Sequence, residues 1–298
     1  LKNMSNIVFI SDFFVDEIVG GGELNDYELV EILTSAGHKT YRLKSQNVTP
    51  SLINVLIGED LSTNFIISNF VNLSEECKRM FYSPTALRGQ LKYVIYEHDH
   101  KYLRSRNPVM YENYRAPRTE LINYEFYSKA MAVLCQSQFH ADIVKGNLGF
   151  DNIISLGGNL WAPEVLDFLE EQSTKPKHEN RHSVMDSHIS HKNTAEAAAY
   201  CKYKDLEYDL IDSRPPLSFL EELGKNEKLV FFPKTPETLS RIVVEARMMG
   251  MTIIANKNIG ATKETWFPLK GKELVDLMRQ KREEIPTRIL GIFNGESL

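Results

Sequence analysis

The chain has 298 residues, 42% hydrophobic and 25% charged, a size that accommodates two domains of ordinary length. Its net charge of -5, with acids and bases intermixed and no basic block, excludes a general affinity for nucleic acid. Three scattered cysteines, Cys77, Cys135 and Cys201, form neither a metal-ligand spacing nor an even disulfide framework, which points to a reducing compartment. No run approaches about 18 apolar residues, and the opening LKNMSNIVFISDFF lacks the apolar run and cleavage site of a signal peptide. The expectation is a cytoplasmic protein, with peripheral membrane contact left open.

The elements alternate from the start. NIVFIS (6–11) is a short apolar run that fits a buried parallel strand. Gly20, Gly21 and Gly22 make a turn, residues 23–36 carry apolar side chains at Leu24, Tyr27, Leu29, Ile32 and Leu33 at near-helical spacing, and Gly37 stops that helix. TYRL follows as a strand. This strand–glycine turn–helix–strand unit is typical of nucleotide-binding folds, although the glycines are consecutive and not spaced GxGxxG. Helix is then expected over 51–57, strand over 64–68, helix over 74–81, strand over 91–96, helix over 119–130, strand in MAVLCQS, helix over 139–145 and strand in NIISLGG. Residues 159–180 read as the domain boundary: they begin NLWAPEVLDFLEEQ and turn polar in STKPKHEN, where charge and proline argue for an exposed connection. The alternation then resumes: strand in HSVMD, helix over 192–201, strand in EYDLID, helix over 217–223, strand in KLVFF, helix over 237–249, strand in TIIAN and a charged helix over 272–282. Such alternation predicts an α/β protein of two Rossmann-like parallel-sheet domains, residues 1–165 and 166–298, facing a cleft.

Ligands of open α/β sheets bind outside the carboxyl ends of the strands. Glu237 and Glu245 lie near such an end, eight positions apart. On a continuous helix that is a rise of about 12 Å, too long to share one metal or one proton but suited to two parts of one long ligand. Carboxylates accept hydrogen bonds from sugar hydroxyls. Thr235, Pro236 and Thr238 favour a helix start here, whose amides would face an anion such as a diphosphate. Taken singly, each acid reads first as ordinary structure, Glu237 as a first-turn helix acid and Glu245 as a surface residue.

The stretch Pro233, Lys234, Glu237, Glu245, Ala246 and Gly250, followed by TIIA, resembles the donor-binding segment of GT-B glycosyltransferases, especially the retaining group called glycosyltransferase family 4. The loop Asn258-Ile259-Gly260-Ala261-Thr262, with Glu264 beyond, resembles the loop that follows in that family. Gly20-Gly21-Gly22-Glu23 and Ala36-Gly37-His38-Lys39 resemble its first glycine loop and helix end, and Asn159 resembles, loosely, its asparagine–glycine stretch. The resemblance implies a GT-B fold and hexosyl transfer from a nucleoside diphosphate sugar to a glycan, lipid-linked or small-molecule acceptor, with retention and without a metal. It implies that Glu237 touches the transferred sugar and Glu245 the ribose, that Lys192 neutralises the diphosphate, that Gly260 lies in the donor loop, and that Gly21 and Gly22 approach donor or acceptor. The arginine expected upstream of Lys192 is missing; Arg241, His188 or His191 could take its part. The second domain is also short by one strand–helix unit.

No aspartate pair stands at a convincing strand end for metal binding; Asp205 and Asp209 flank the start of a strand. In the first domain YEHDH follows an apolar strand, and His98 and His100 fall on one side of an extended chain with Asp99 on the other. Family resemblance places a histidine or aspartate near the reacting carbon, so His98 and then Asp99 are the catalytic candidates beside Glu237. Arg104, Arg106, Arg115 and Arg118 could hold an anionic acceptor, a lipid phosphate or a membrane surface, or form an ordinary solvated face. Two other functions fit the same architecture: a nucleotide-sugar epimerase, and a degenerate domain that binds glycan or protein.

Overall fold

The computed structural model describes residues 4–58, 63–83 and 90–296, and every candidate site residue lies within these ranges. The chain forms two compact units, Leu1–Leu160 with Glu283–Leu298, and Trp161–Arg282.

The first unit is built on six parallel strands: β1 (Asn6–Ser11), β2 (Lys39–Lys44), β3 (Asn64–Ile67), β4 (Lys92–Glu97), β5 (Ala132–Cys135) and β6 (Ile153–Ser155), in the order β2-β1-β3-β4-β5-β6. Successive side chains of a strand point to opposite faces, and both faces here are buried. Val8, Ile10, Phe65, Ile67, Tyr93, Ile95 and Val133 join one apolar cluster with α2 (Pro50–Ile57), α3 (Glu75–Tyr82), α4 (Tyr124–Lys129) and α5 (Gln138–Leu148). Ile7, Phe9, Ile66, Val94, Tyr96 and Leu134 join the other with α1 (Gly21–Ser35) and with Ile285, Ile289, Ile292 and Phe293.

The second unit has four parallel strands: β7 (His178–Met185), β8 (Tyr208–Ile211), β9 (Asn226–Phe231) and β10 (Thr252–Ala255), in the order β10-β9-β7-β8. Leu229 and Phe231 point into a cluster with α6 (Pro163–Thr174), α8 (Pro216–Leu223), α9 (Arg241–Met248) and the start of α10 (Lys272–Phe293). Val184 and Val230 meet Ala197 and Cys201 of α7 (Thr194–Tyr203) on the other face. The two parallel-sheet α/β units are thus the expected fold class.

Several element expectations are corrected. The expected boundary segment is mostly ordered: residues 163–174 form helix α6, in which Leu166 and Leu169 are fully buried, and β7 begins at His178, inside the stretch expected to be an exposed connection. The helix expected over 119–130 is confined to α4; Leu121 bridges Leu103 in extended conformation and Asn123 turns left-handed at φ 56°. The last helix continues past residue 282 to Phe293. Among the described residues no helix is long and apolar enough to cross a membrane.

Gly250 closes α9. It adopts φ +85°, its N–H donates to Arg247 O at 2.9 Å, and Met251 N–H donates to Ala246 O at 2.9 Å. This left-handed cap strongly favours glycine. Gly250→Ala is expected to cost roughly 1–2 kcal/mol, read as a lower urea midpoint at unchanged slope. An unshifted midpoint would remove the case for this cap.

Candidate functional site

Strand order reverses once in each sheet. In the second unit the reversal lies between β7 and β9, and this is where doubly wound sheets bind ligands. Lys192 ends the loop after β7, and Glu237 lies in the loop after β9. Their side chains are largely buried and meet at 2.7 Å, Lys192 Nζ donating to Glu237 Oε1. The loops are also tied by backbone, with Lys234 N–H donating to His191 O at 2.8 Å. The loop after β10 completes the cluster. Glu237 N–H donates to Asn258 O at 2.8 Å and Gly260 N–H donates to Glu237 O at 2.9 Å, a parallel bridge between Glu237 and Ile259. Asn256 and Asn258 both donate through Nδ2 to Pro233 O. Lys192, Glu237 and Gly260 therefore share one edge.

This bridge overturns the helix start expected at Thr235–Thr238. An extended residue paired on both backbone groups cannot also open a helix, and α9 begins only at Arg241. Ser240 before it is held at φ 77°, with its buried Oγ lacking a partner among the described residues. Strain and an orphaned hydroxyl together mark an unusual backbone position.

Glu245, on α9, has a different set of partners. Its Oε1 accepts from Trp161 Nε1 at 2.9 Å and faces Arg241 Nε at 3.6 Å. Arg241 lies over the Trp161 ring, 4.4 Å from its centroid. His191 is exposed, and what burial it has, followed by the Lys192 charge, lowers its pKa; His188 is exposed. Asp209 is taken up by Arg181, in two contacts of 2.6 Å, and by Asn226.

In the first unit Gly21 and Gly22 form the first turn of α1. A Cβ on Gly22 would lie 3.2 Å from Cγ and Cδ2 of His98, so glycine here makes room for the imidazole. His98 follows β4 and is nearly buried, with both ring nitrogens engaged. Nε2 is 2.8 Å from Asp26 Oδ1, and Nδ1 accepts from Gln136 Nε2. The amide orientation is fixed in turn by Asn159 Nδ2, which donates to Gln136 Oε1 at 3.2 Å. Asp26 Oδ2 and Asn159 Oδ1 are buried without a partner among the described residues.

Asp99 points into a separate charged cluster. Burial by itself would raise its pKa, but Lys101 and Arg106 hold the carboxyl well below the usual range. Lys101 is also paired to Glu97, both fully buried, and Tyr127 OH donates to the other Glu97 oxygen. His100 does not join His98: its Nδ1 is 3.0 Å from Tyr102 OH and its ring packs edge-on against His140.

Asp26, Gln136 and Trp161 were not singled out in the sequence. Asp26 stands four residues after Gly22, hence on the same helix face, and Gln136 directly follows β5; these were the available signals. Trp161 carried none. Among the described residues no three His, Cys, Asp or Glu side chains are grouped to hold a metal ion.

No family model matches the chain, and no curated protein matches it in sequence. Solved structures do match. A glycosyltransferase from Rickettsia africae ESF-5 is similar over 97% of this chain and 89% of that one, at 14% identity and a TM-score of 0.55. The catalytic domain of starch synthase IV from Arabidopsis thaliana, bound to ADP and acarbose, is similar over 98% of this chain and 99% of that one, at 10% identity and a TM-score of 0.60. At such identities the likeness is one of fold, that of GT-B glycosyltransferases.

Burial pushes the His100 imidazole down to about 4, against the pull of Asp99, and pushes His140 well down too. The unfolded chain takes up these protons near pH 6.5, and the folded chain resists until much lower pH. Stability is therefore complete above about pH 6.5 and falls toward pH 4, by on the order of 3 kcal/mol for His100 alone. Urea midpoints measured across this range should fall less steeply in His100→Gln; an identical slope would show that His100 does not titrate this way.

Proposed function

We propose that the protein is a glycosyltransferase of the hexosyl type, moving a sugar from a nucleoside diphosphate sugar to a glycan, lipid-linked or small-molecule acceptor. The observation that carries this reading is the Lys192–Glu237 pair at the strand reversal of the second unit, on a fold shared with glycosyltransferases. A departing diphosphate needs its charge stabilised, and the sugar needs to be held while the bond breaks. Lys192 is the cation for the first task. Before ligand binds, Glu237 keeps its ammonium in place, and a diphosphate would share it. Glu237 accepts hydrogen bonds from the sugar hydroxyls in the same position. The N–H groups opening α9, after Ser240, are a second source of positive potential.

Glu245 is the candidate for the ribose hydroxyls. Trp161 and Arg241 both address Oε1, which orients the carboxylate and directs Oε2 to the ligand. Gly260 lets the loop after β10 approach the donor closely. In this reading the second unit, Trp161–Arg282, holds the donor and the first serves the acceptor, a division close to the 166–298 and 1–165 expected from sequence; His98 and Asp99 are the catalytic candidates there, and Gly21 and Gly22 give close backbone approach. His98 acts as an imidazole fixed by Asp26 and Gln136. Transfer is metal-independent and retaining, and three buried unpaired thiols agree with a cytoplasmic location, at a membrane surface or away from it.

The test is a thermal-shift panel of UDP-, GDP-, ADP- and dTDP-sugars followed by titration of the stabilising donor. Lys192→Ala should weaken that donor about 10- to 100-fold, the worth of a charge-assisted hydrogen bond. Glu237→Gln should lower turnover more than affinity, and Glu245→Ala should lower affinity more than turnover. Absence of any donor response, or wild-type behaviour in all three variants, overturns the proposal.

A further inference from the structure

We propose that a cavity at the carboxyl end of β3 and β4 binds an oxyanion, a phosphate or carboxylate, carried by the acceptor molecule. Its role in the acceptor rests on the transferase reading; the anion site does not. The cavity holds about 460 Å³, within the usual range for small-molecule sites. It lies wholly in the first unit. Its floor is apolar, with Phe70 and Leu103 fully buried and Ile122 beside them, and its walls carry four cations, Lys78, Lys101, Arg104 and Arg106, against one acid, Glu75.

These four cations differ in what already neutralises them. Lys101 is matched by Glu97 in the interior, and Arg106 is paired to Asp99. Lys78 is buried, yet its only ionic partner among the described residues, Glu75 at 2.8 Å, has a side chain 70% exposed. Such a pair is worth little in water, and Asn123 Oδ1 at 3.0 Å supplies only a neutral acceptor. The Arg104 guanidinium makes no ion pair or hydrogen bond among the described residues. Lys78 and Arg104 thus leave positive potential on the walls of an apolar-floored cavity, the setting in which an ion pair with a ligand gains most. Guanidinium matches both phosphate and carboxylate through paired hydrogen bonds.

The walls are also pre-arranged. Val71 and Asn72 N–H groups donate to the Asp12 carboxylate at 2.9 and 3.0 Å, fastening the loop after β3 to the end of β1. Arg106 holds φ 54°, an uncommon conformation for a side-chain-bearing residue, closed by its N–H to Leu103 O at 3.1 Å. A site already in its bound shape spends less of its interaction energy on ordering. The ligand chemistry that fits is a compact oxyanion next to an apolar or sugar face.

Calorimetric titration of the full chain with glucose 6-phosphate, glucuronate, inorganic phosphate and glucose reads the site directly. Glucose 6-phosphate or glucuronate should bind and glucose should not. Arg104→Ala removes an exposed side chain with no ionic partner among the described residues, so it should fold normally and weaken the anion about 10-fold or more. Lys78→Met should act the same way. Sedimentation with phosphatidylglycerol vesicles, against phosphatidylcholine, assigns the anion to a lipid headgroup if only the vesicles bind in an Arg104-dependent way. Soluble anions alone assign it to a small molecule. Binding of no anionic probe, or equal binding by Arg104→Ala and Lys78→Met, overturns the proposal. Arg104-dependent anion binding without any nucleotide-sugar response supports the site and counts against the transferase reading alone.

Discussion

A parallel sheet that grows in both directions from its first strand must reverse once, and the two connections leaving that point diverge. The reversal leaves a crevice at the carboxyl edge that no helix covers. Here β1 and β3 flank it in one sheet, β7 and β9 in the other. The polar groups of interest follow from this. Asp12, at the end of β1, fastens the loop after β3, and Lys192, after β7, meets Glu237, after β9. Both contacts join segments that the chain could not bring together by local structure. They exist because right-handed crossovers lay those strands side by side.

The two units treat charge differently at these edges. Glu97 and Lys101 form a pair closed to water, which costs desolvation on both groups and is retained only with further hydrogen bonds. Tyr127 supplies one of them, and Asp99 adds to the field that keeps Lys101 charged. Both Glu97 oxygens and the Lys101 ammonium therefore have partners inside the cluster. Lys192 and Glu237 instead keep some contact with solvent, their side chains 25% and 14% exposed. The distinction separates an ion pair closed to water from one that water reaches.

The strands were legible because a parallel strand buried on both faces must be apolar at every position, as NIVFIS and MAVLC are. Helix α6 was obscured by its outward charges, Glu164, Asp167, Glu170 and Glu171, which outnumber the buried Leu166 and Leu169. The misplaced start of α9 has another cause. Pro236 sits where a helix would accept it, and nothing local shows that Glu237 will pair with Ile259 across an intervening strand. Likewise His98 was visible at the end of β4, but its partner Asp26 lies 72 residues earlier. Residue types and strand ends can be read along the chain; which side chains oppose them depends on strand order.

Strand order also changes what the two glutamates have in common. Along the sequence they are equivalent acids separated by a fixed spacing. In the fold Glu237 is extended backbone facing a lysine, and Glu245 is a helical residue facing an indole and a guanidinium. Stacking on Trp161 fixes Arg241, and the fixed guanidinium moderates the charge of Glu245. A ligand hydroxyl meeting Glu245 would find a carboxylate that is oriented but partly neutralised, suited to selecting geometry. One meeting Glu237 would find a carboxylate whose counter-ion can be drawn toward a phosphate, so that binding the anion frees the acid. Under the proposed function the two positions would therefore respond differently to the same ligand: Glu245 as a fixed gauge, Glu237 as the group whose hydrogen-bonding strength would rise with the phosphate in place.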